Sequence, residues 1–332
     1  MVDVFVDRRD SDKSTYIALG AVVLFLLFQF AFQAVVFTFE RRPDEVKAVA
    51  RFIEIILPGE HGSSPVPAAE IWMRLVLFAF NILVTLTLVY TGLVNRKTAV
   101  LAAIWPLSIF LFSKIYWEFF YFPFCLIRPD LSARKEGIVM GLLGVMLYTT
   151  GEANLGVLLT FRAALFLQRS GFEKSVPLGI VGLAVFLDAA MKTGAAYAFP
   201  WIGGLIQRFD WTRSVANPDY TPFESLSVFF ASFHFFSLHT GAYWIDALFS
   251  VIVVVCLYCS AEFRTNLRQH LWLVLCFFSV YFFYTHVTYA FQNARYFFFF
   301  IPVLATLIPT KLFPGLALLG FFHVLCRSME FL

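Results

Sequence analysis

Long apolar runs separated by short polar breaks occupy most of this chain, and that pattern sets the fold class. The runs at 16–38, 73–94, 99–122, 177–205, 242–260, 270–290, 294–309 and 312–330 approach or exceed the ~20 residues a helix needs to cross a bilayer. They are continuous, where a membrane β-barrel would show short alternating segments. Helices are how such blocks satisfy their own backbone in lipid. Two further runs, 138–150 and 156–168, are each too short to cross comfortably and flank the polar break Gly151-Glu152-Ala153-Asn154. They form either two short, buried helices or one broken, re-entrant unit. The expectation is an all-α integral membrane protein, one polytopic domain over 1–332 with about nine to ten transmembrane helices.

Two longer polar stretches interrupt the pattern, 39–72 and 206–241. In the first, Val46, Val49, Ile53, Ile56 and Leu57 recur at helical spacing opposite Lys47, Arg51 and Glu54. Pro43 stands at the start and Pro58-Gly59 at the end, so an amphipathic helix lying in the interface is expected, followed by a loop from Gly62 to Pro67. The second stretch is polar from Gln207 to Glu224 and then apolar from Leu226 to Leu238, interrupted by His234. That run is too short to span, which predicts a second interfacial or re-entrant helix. No internal repeat is evident, and an inverted-repeat transporter usually carries one.

Composition agrees with the pattern. Hydrophobic residues make up 60% of the chain and charged residues 14%, against about 25% charged in a soluble domain. The net charge of +3 gives no basis for nucleic-acid binding. The 43 phenylalanines read as lipid-facing and packing bulk. Cys256 and Cys259 form a CxxC within an apolar run, which points to an inert helix face, and the five cysteines form no disulfide ladder. The charged start leads into an apolar block too long for the core of a cleavable signal. If 138–168 counts as one broken crossing, then Arg96-Lys97, Arg169, Lys174, Arg264, Arg268 and Lys311 share the cytoplasmic side. Both long loops are then extracytoplasmic, and Arg41, Arg42, Arg128 and Arg134 stay outside with them.

Ionisable residues within or beside apolar spans cost ~2.5–3.5 kcal/mol each to insert and so mark candidate chemistry. Four groups stand out. Lys114 and Glu118, at i and i+4, either pair or serve a site; Arg128 and Asp130 flank Pro129, which fixes a turn that aims a guanidinium. Glu152, Asn154 and Arg162 form a second group, in which Arg162 follows Glu152 by ten residues and shares its face on a continuous helix. Asp188 and Lys192 make an i, i+4 pair that reads as a lock between helices. Last, Thr285-His286 leads to Gln292-Asn293-Ala294-Arg295-Tyr296 between two apolar runs. There His286 can exchange a proton near neutral pH, and Arg295 offers a planar fork of donors suited to a pyrophosphate or acts as an interfacial anchor. No Walker A loop, GxSxG, HExxH or zinc-spaced Cys/His cluster is present, which argues against ATP hydrolysis, serine hydrolysis and zinc proteolysis. Neither a metal site nor a cofactor is expected.

The stretch Arg295-Tyr296 followed by Phe297 to Leu304 with Pro302, preceded by His286 and Gln292, resembles the late H…RY…P motif of multi-span glycosyltransferases that use polyprenyl-phosphate-linked sugars. With the span pattern, the two long loops and the block from Trp117-Glu118 through Glu136-Gly137, the chain resembles the bacterial exopolysaccharide and O-antigen polymerase group. Relatives often carry an Asp soon after the first span; here Glu40 stands there, with Asp44 and Glu45 just after. The resemblance implies a multi-pass protein of the bacterial cytoplasmic membrane. It would join polyprenyl-pyrophosphate-linked oligosaccharide repeat units, with membrane lipids and other polysaccharide assembly proteins as partners. Base candidates are Glu118, Glu40 and His286. The substrate-binding candidates are Arg295, Arg128, Asp130, Tyr296, Gln292, Glu152 and Arg162. Two other readings use the same charges: a lipid-linked oligosaccharide flippase or secondary transporter, and a non-catalytic subunit of an envelope assembly complex.

Overall fold

The computed structural model describes residues 67–105, 118–150, 153–194, 243–288 and 298–328, and all regular structure among them is helical. In chain order the helices are α1 (Pro67–Tyr90), α2 (Arg96–Ile104), α3 (Glu118–Cys125), α4 (Ala133–Thr150), α5 (Ala153–Leu167), α6 (Ser175–Lys192), α7 (Tyr243–Cys259), α8 (Ala261–Gln269), α9 (Leu271–Thr288), α10 (Ile301–Leu307) and α11 (Phe313–Ser328). The chain divides into two compact units. One holds Met1–Ile127 with Thr310–Leu332, and the other holds Arg128–Pro309.

In the first unit α1 packs on α2 and α3, and α11 packs on α2. Helix α1 starts at Pro67, inside the stretch expected to be loop up to residue 72, because proline suits a first helical turn. It ends where Gly92 adopts φ 71°, a conformation glycine takes without steric cost. Leu93 N–H and Val94 N–H then both return to the Leu88 carbonyl. The apolar run 99–122 was expected to form one helix, but α2 stops at Ile104. Trp105 is extended at ψ 126°, since it precedes Pro106 and the proline ring blocks the helical region for the residue before it. The same rule closes the run 294–309 at its expected end. Ile308, before Pro309, is extended at ψ 121°, and α10 is only seven residues long.

The second unit carries the hairpin that the sequence left open. Helices α4 and α5 pack side by side, and Glu136 in the first turn of α4 bonds Arg162 near the end of α5. The two helices therefore run antiparallel and return the chain to the end it left. This replaces the single broken crossing assumed for 138–168, and it brings Arg169 to the same end as Arg128 and Arg134. A wide turn over Gln168–Phe172, with Gly171 at φ 103°, leads into α6. Helices α6 and α9 form the most extensive helix pair among the described residues and run parallel. At their starts Lys174 Nζ lies 5.9 Å from the Trp272 ring, and Gln168 Nε2 donates to the Trp272 carbonyl at 2.6 Å. Ala184, Met191 and Val287 are buried between the helices with Leu187, Phe282 and Phe283 around them. Helix α6 stops at Lys192, followed by Gly194 at φ 73°, well short of the expected end at 205.

Helix α8 was expected to be a plain basic connection. Ser260 caps it, its Oγ accepting from the Phe263 N–H at 3.4 Å, and the helix turns 89° away from α7. Phe263 is buried beneath it while Glu262 and Arg268 face outward. Among the described residues, α6 is long and apolar enough to cross a membrane, and α7 with α8 passes the same test only as a bent pair. The surface of the second unit is unusual in another way. Ile138, Leu142 and Val145 on α4, Leu178 and Phe186 on α6, and Val251 on α7 are all more than half exposed, while Glu136, Arg162, Asp188, Asp246 and His286 are buried.

Candidate functional site

Two clusters of charged side chains lie at opposite ends of the second unit. The first closes the mouth of the α4–α5 hairpin. Glu136 belongs to the buried stripe of α4 with Val139 and Leu143, and Arg162 to that of α5 with Leu158 and Leu165. Helical spacing therefore presses the carboxylate and the guanidinium against each other. Arg162 Nε donates to Glu136 Oε1 at 2.6 Å and Nη2 to Oε2 at 2.6 Å, a two-pronged pair. Arg169 Nη2 adds a third bond to Oε2 at 2.7 Å. The Glu136 side chain has no exposure, Arg162 has 2% and Arg169 33%. Two guanidinium charges thus face one carboxylate.

Two of the remaining arginine donors pin the segment that enters α4, and a third bonds back to α5. Arg162 Nη1 donates to the Arg128 carbonyl at 3.0 Å, Arg169 Nη1 to the Leu131 carbonyl, and Arg169 Nε to Leu165 at 3.2 Å. Arg128 itself forms a bidentate pair with Asp130, its Nε donating to Oδ1 at 2.6 Å. That bond holds the Asp130 carboxyl below its usual range and raises Arg128, each against a smaller desolvation effect of opposite sign. Because the Asp130 value is depressed on folding, the pair contributes stability above the ordinary carboxylate range and loses it as pH falls through the lowered value. The Asp130 side chain is 59% exposed, so the contribution is at most about 1 kcal/mol.

The second cluster joins the ends of α6 and α9. Lys192 Nζ donates to Asp188 Oδ2 at 3.0 Å along the helix, and His286 Nε2 stands 3.5 Å from the same oxygen across the helix pair. Asp188 and His286 are buried, and a third of the Lys192 side chain is exposed. The His286 ring stacks on Phe282 with centroids 5.0 Å apart and planes 13° apart. Two residues earlier on α9, the Tyr284 hydroxyl bonds Thr160 of α5 at 2.9 Å. His286 lies fourteen residues beyond Trp272, roughly 21 Å at ~1.5 Å per helical residue. Arg128 and His286 therefore do not share one site.

Among the expected site residues, the structure unites Arg128 with Asp130 and brings Arg162 to the same cluster, with Glu136 as a carboxylate partner. It places His286 apart from them, with Asp188 and Lys192. Glu118 opens α3, and its side chain lies outside the described residues. Glu40, Glu152, Gln292, Arg295 and Tyr296 also lie outside them. Among the described residues no three His, Cys, Asp or Glu side chains are grouped to hold a metal ion. The sequence reading missed Glu136 as a hub, Arg169 as its second cation, and the approach of His286 to Asp188. The first two were detectable: Glu136 and Leu143 are seven apart, as are Arg162 and Arg169, so each pair shares a helix face. The third depends on two helices distant in sequence lying parallel, for which the sequence carries no local signal. Comparison of the chain with protein-family models, curated proteins and solved structures finds no match.

Proposed function

We propose that this chain is a multi-span protein of the bacterial cytoplasmic membrane and a glycosyltransferase that joins polyprenyl-pyrophosphate-linked oligosaccharide units into a surface polysaccharide. Support for the membrane reading comes from the second unit, where large apolar side chains of α4, α6 and α7 face outward while Glu136, Arg162, Asp188, Asp246 and His286 are buried. A protein surrounded by water has the opposite need. Support for the orientation comes from the hairpin. Arg128, Arg134, Lys135, Arg169, Lys174, Arg264 and Arg268 gather at the end where α4, α6 and α9 begin, and that end belongs in the cytoplasm. Counting 138–168 as two crossings removes the conflict over Arg128 and Arg134.

This polarity has a direct test. In a cysteine-free background an impermeant thiol reagent on intact cells should label Thr193→Cys, at the exposed end of α6, and leave Arg134→Cys, exposed in the first turn of α4, unlabelled. Labelling of both positions would contradict the hairpin as a pair of crossings.

The observation that carries the functional reading is the position of His286. It lies in the last turn of α9, at the end remote from the basic cluster, nine residues before Arg295. Transfer needs a base for the acceptor hydroxyl and a fixed cation for the leaving pyrophosphate. This reading assigns the first role to His286 and the second to Arg295, nine residues further along the chain. Arg128, bound to Asp130 at the other end, is left a role in holding the hairpin mouth. Removal of the base is expected to lower transfer by about 10²-fold. His286→Ala should therefore reach the membrane at normal levels, shorten the polysaccharide and leave single lipid-linked units accumulating. Long chains made by a well-expressed His286→Ala protein would overturn the reading.

A further inference from the structure

We infer that the start of α4 binds an anionic phospholipid of the cytoplasmic leaflet, with Arg134 and Lys135 on its phosphate and the outward face of α4 along an acyl chain. This rests on the membrane reading and the orientation proposed above, and does not depend on the transfer reaction or on His286. The cations at this end of the unit are of two kinds. Arg128 is engaged by Asp130, and Arg162 and Arg169 by Glu136. Lys174 lies over the Trp272 ring, with the exposed acid Glu173 beside it in the chain. Arg264 donates to the carbonyls of Tyr258 and Cys259. Arg134 and Lys135 differ from these. Both are exposed, and among the described residues neither side chain enters an ion pair or a hydrogen bond. They add two unbalanced charges to a mouth where two guanidiniums already share one carboxylate. Arg268 is equally free, but its neighbours on the exposed side of α8 are the polar Glu262, Thr265 and Gln269.

On α4 the exposed neighbours are apolar. Arg134, Ile138, Leu142 and Val145 follow one another at the spacing of a single helix face. Ile138 is 56% exposed, Leu142 53% and Val145 62%. Helical side chains lean toward the start of their helix, so the two long basic chains reach away from this stripe toward the headgroups. Val145 lies eleven residues beyond Arg134, roughly 16 Å at ~1.5 Å per residue. That is about half of the ~30 Å hydrocarbon core, the depth of one leaflet. A stripe of this length headed by two free cations matches a lipid with a negative headgroup. The positive-inside rule places basic residues on this side, but it asks neither that they lack partners nor that an exposed apolar stripe begin one turn behind them.

The test measures, by fluorescence polarisation, the binding of a fluorescent phosphatidylglycerol to the purified full chain in a neutral detergent. A basic residue near an anionic lipid surface contributes roughly 5-fold in affinity. Arg134→Gln and Lys135→Gln should each weaken binding by about that factor, and the double variant by roughly 25-fold. Unlabelled phosphatidylglycerol should displace the probe. Phosphatidylcholine at the same concentration should not, nor should glycerol phosphate, which carries the phosphate without the chains. Unchanged affinity in the double variant or equal displacement by phosphatidylcholine would overturn the inference. Displacement by glycerol phosphate would also overturn it, by making the site one for free phosphate. Both side chains are exposed and unbonded, so the double variant should melt with the wild type. If it does not accumulate, the single variants are measured in its place, and failure of all three would assign the residues to folding and overturn the inference. A wild-type chain that stays dissolved in buffer without detergent would instead contradict the membrane reading itself.

Discussion

Glu136→Gln should destabilise the protein by about 3–5 kcal/mol, the cost of breaking a buried ion pair and leaving its partner charged. Glutamine keeps the shape of the side chain but removes the charge that Arg162 and Arg169 both bind. The buried Arg162 guanidinium, 2% exposed, would then face a neutral amide and repel Arg169 beside it. A loss of this size is a large part of the ~5–15 kcal/mol that holds a typical domain folded. Asp130→Asn provides the contrast. Its bidentate bond to Arg128 has equally favourable geometry, but the carboxylate is 59% exposed, so the expected loss is below about 1 kcal/mol. Thermal melting in detergent, together with the amount of protein in membranes, distinguishes the two. A Glu136→Gln protein that melts with the wild type would show that the hairpin mouth is not held by this carboxylate.

Why the first cluster was partly legible in the sequence, and the second hardly at all, follows from distance along the chain. Glu136, Arg162 and Arg169 lie on adjacent helices of one hairpin, and spacing within each helix already puts them on the inner face. Glu152, the carboxylate the reading set beside Arg162, lies outside the described residues. Asp188 and Lys192 were legible as a pair because i, i+4 spacing is a local fact. Their meeting with His286, ninety-eight residues beyond Asp188, depends on the parallel packing of α6 and α9, which no local pattern encodes.

Helices were legible in proline-free apolar runs such as α7 and α9, whose observed limits nearly match the expected 242–260 and 270–290. Where the reading joined residues across Pro106, hydropathy outweighed backbone sterics, and Trp105 is extended instead. Helix α8 was missed for the opposite reason. Its nine residues are polar enough to pass for a loop, yet Ser260 as cap, Glu262 in the first turn and Phe263 with Leu267 at i, i+4 were present to announce it.

Arg295 carries the larger share of the functional proposal, although it lies outside the described residues. As the glycosidic bond breaks, negative charge builds on the departing pyrophosphate, and a positioned donor at that point is worth roughly 10²–10³ in rate. Lysine keeps the charge but loses the planar fork, so Arg295→Lys should fail nearly as badly as Arg295→Ala. The decisive measurement is the chain length of the surface polysaccharide made by each variant, with protein level determined in the same membranes. Both variants should insert normally, make no long chains and accumulate single lipid-linked repeat units. Wild-type chain length from a well-expressed Arg295→Ala protein would contradict the proposal and leave Arg295 as an interfacial anchor.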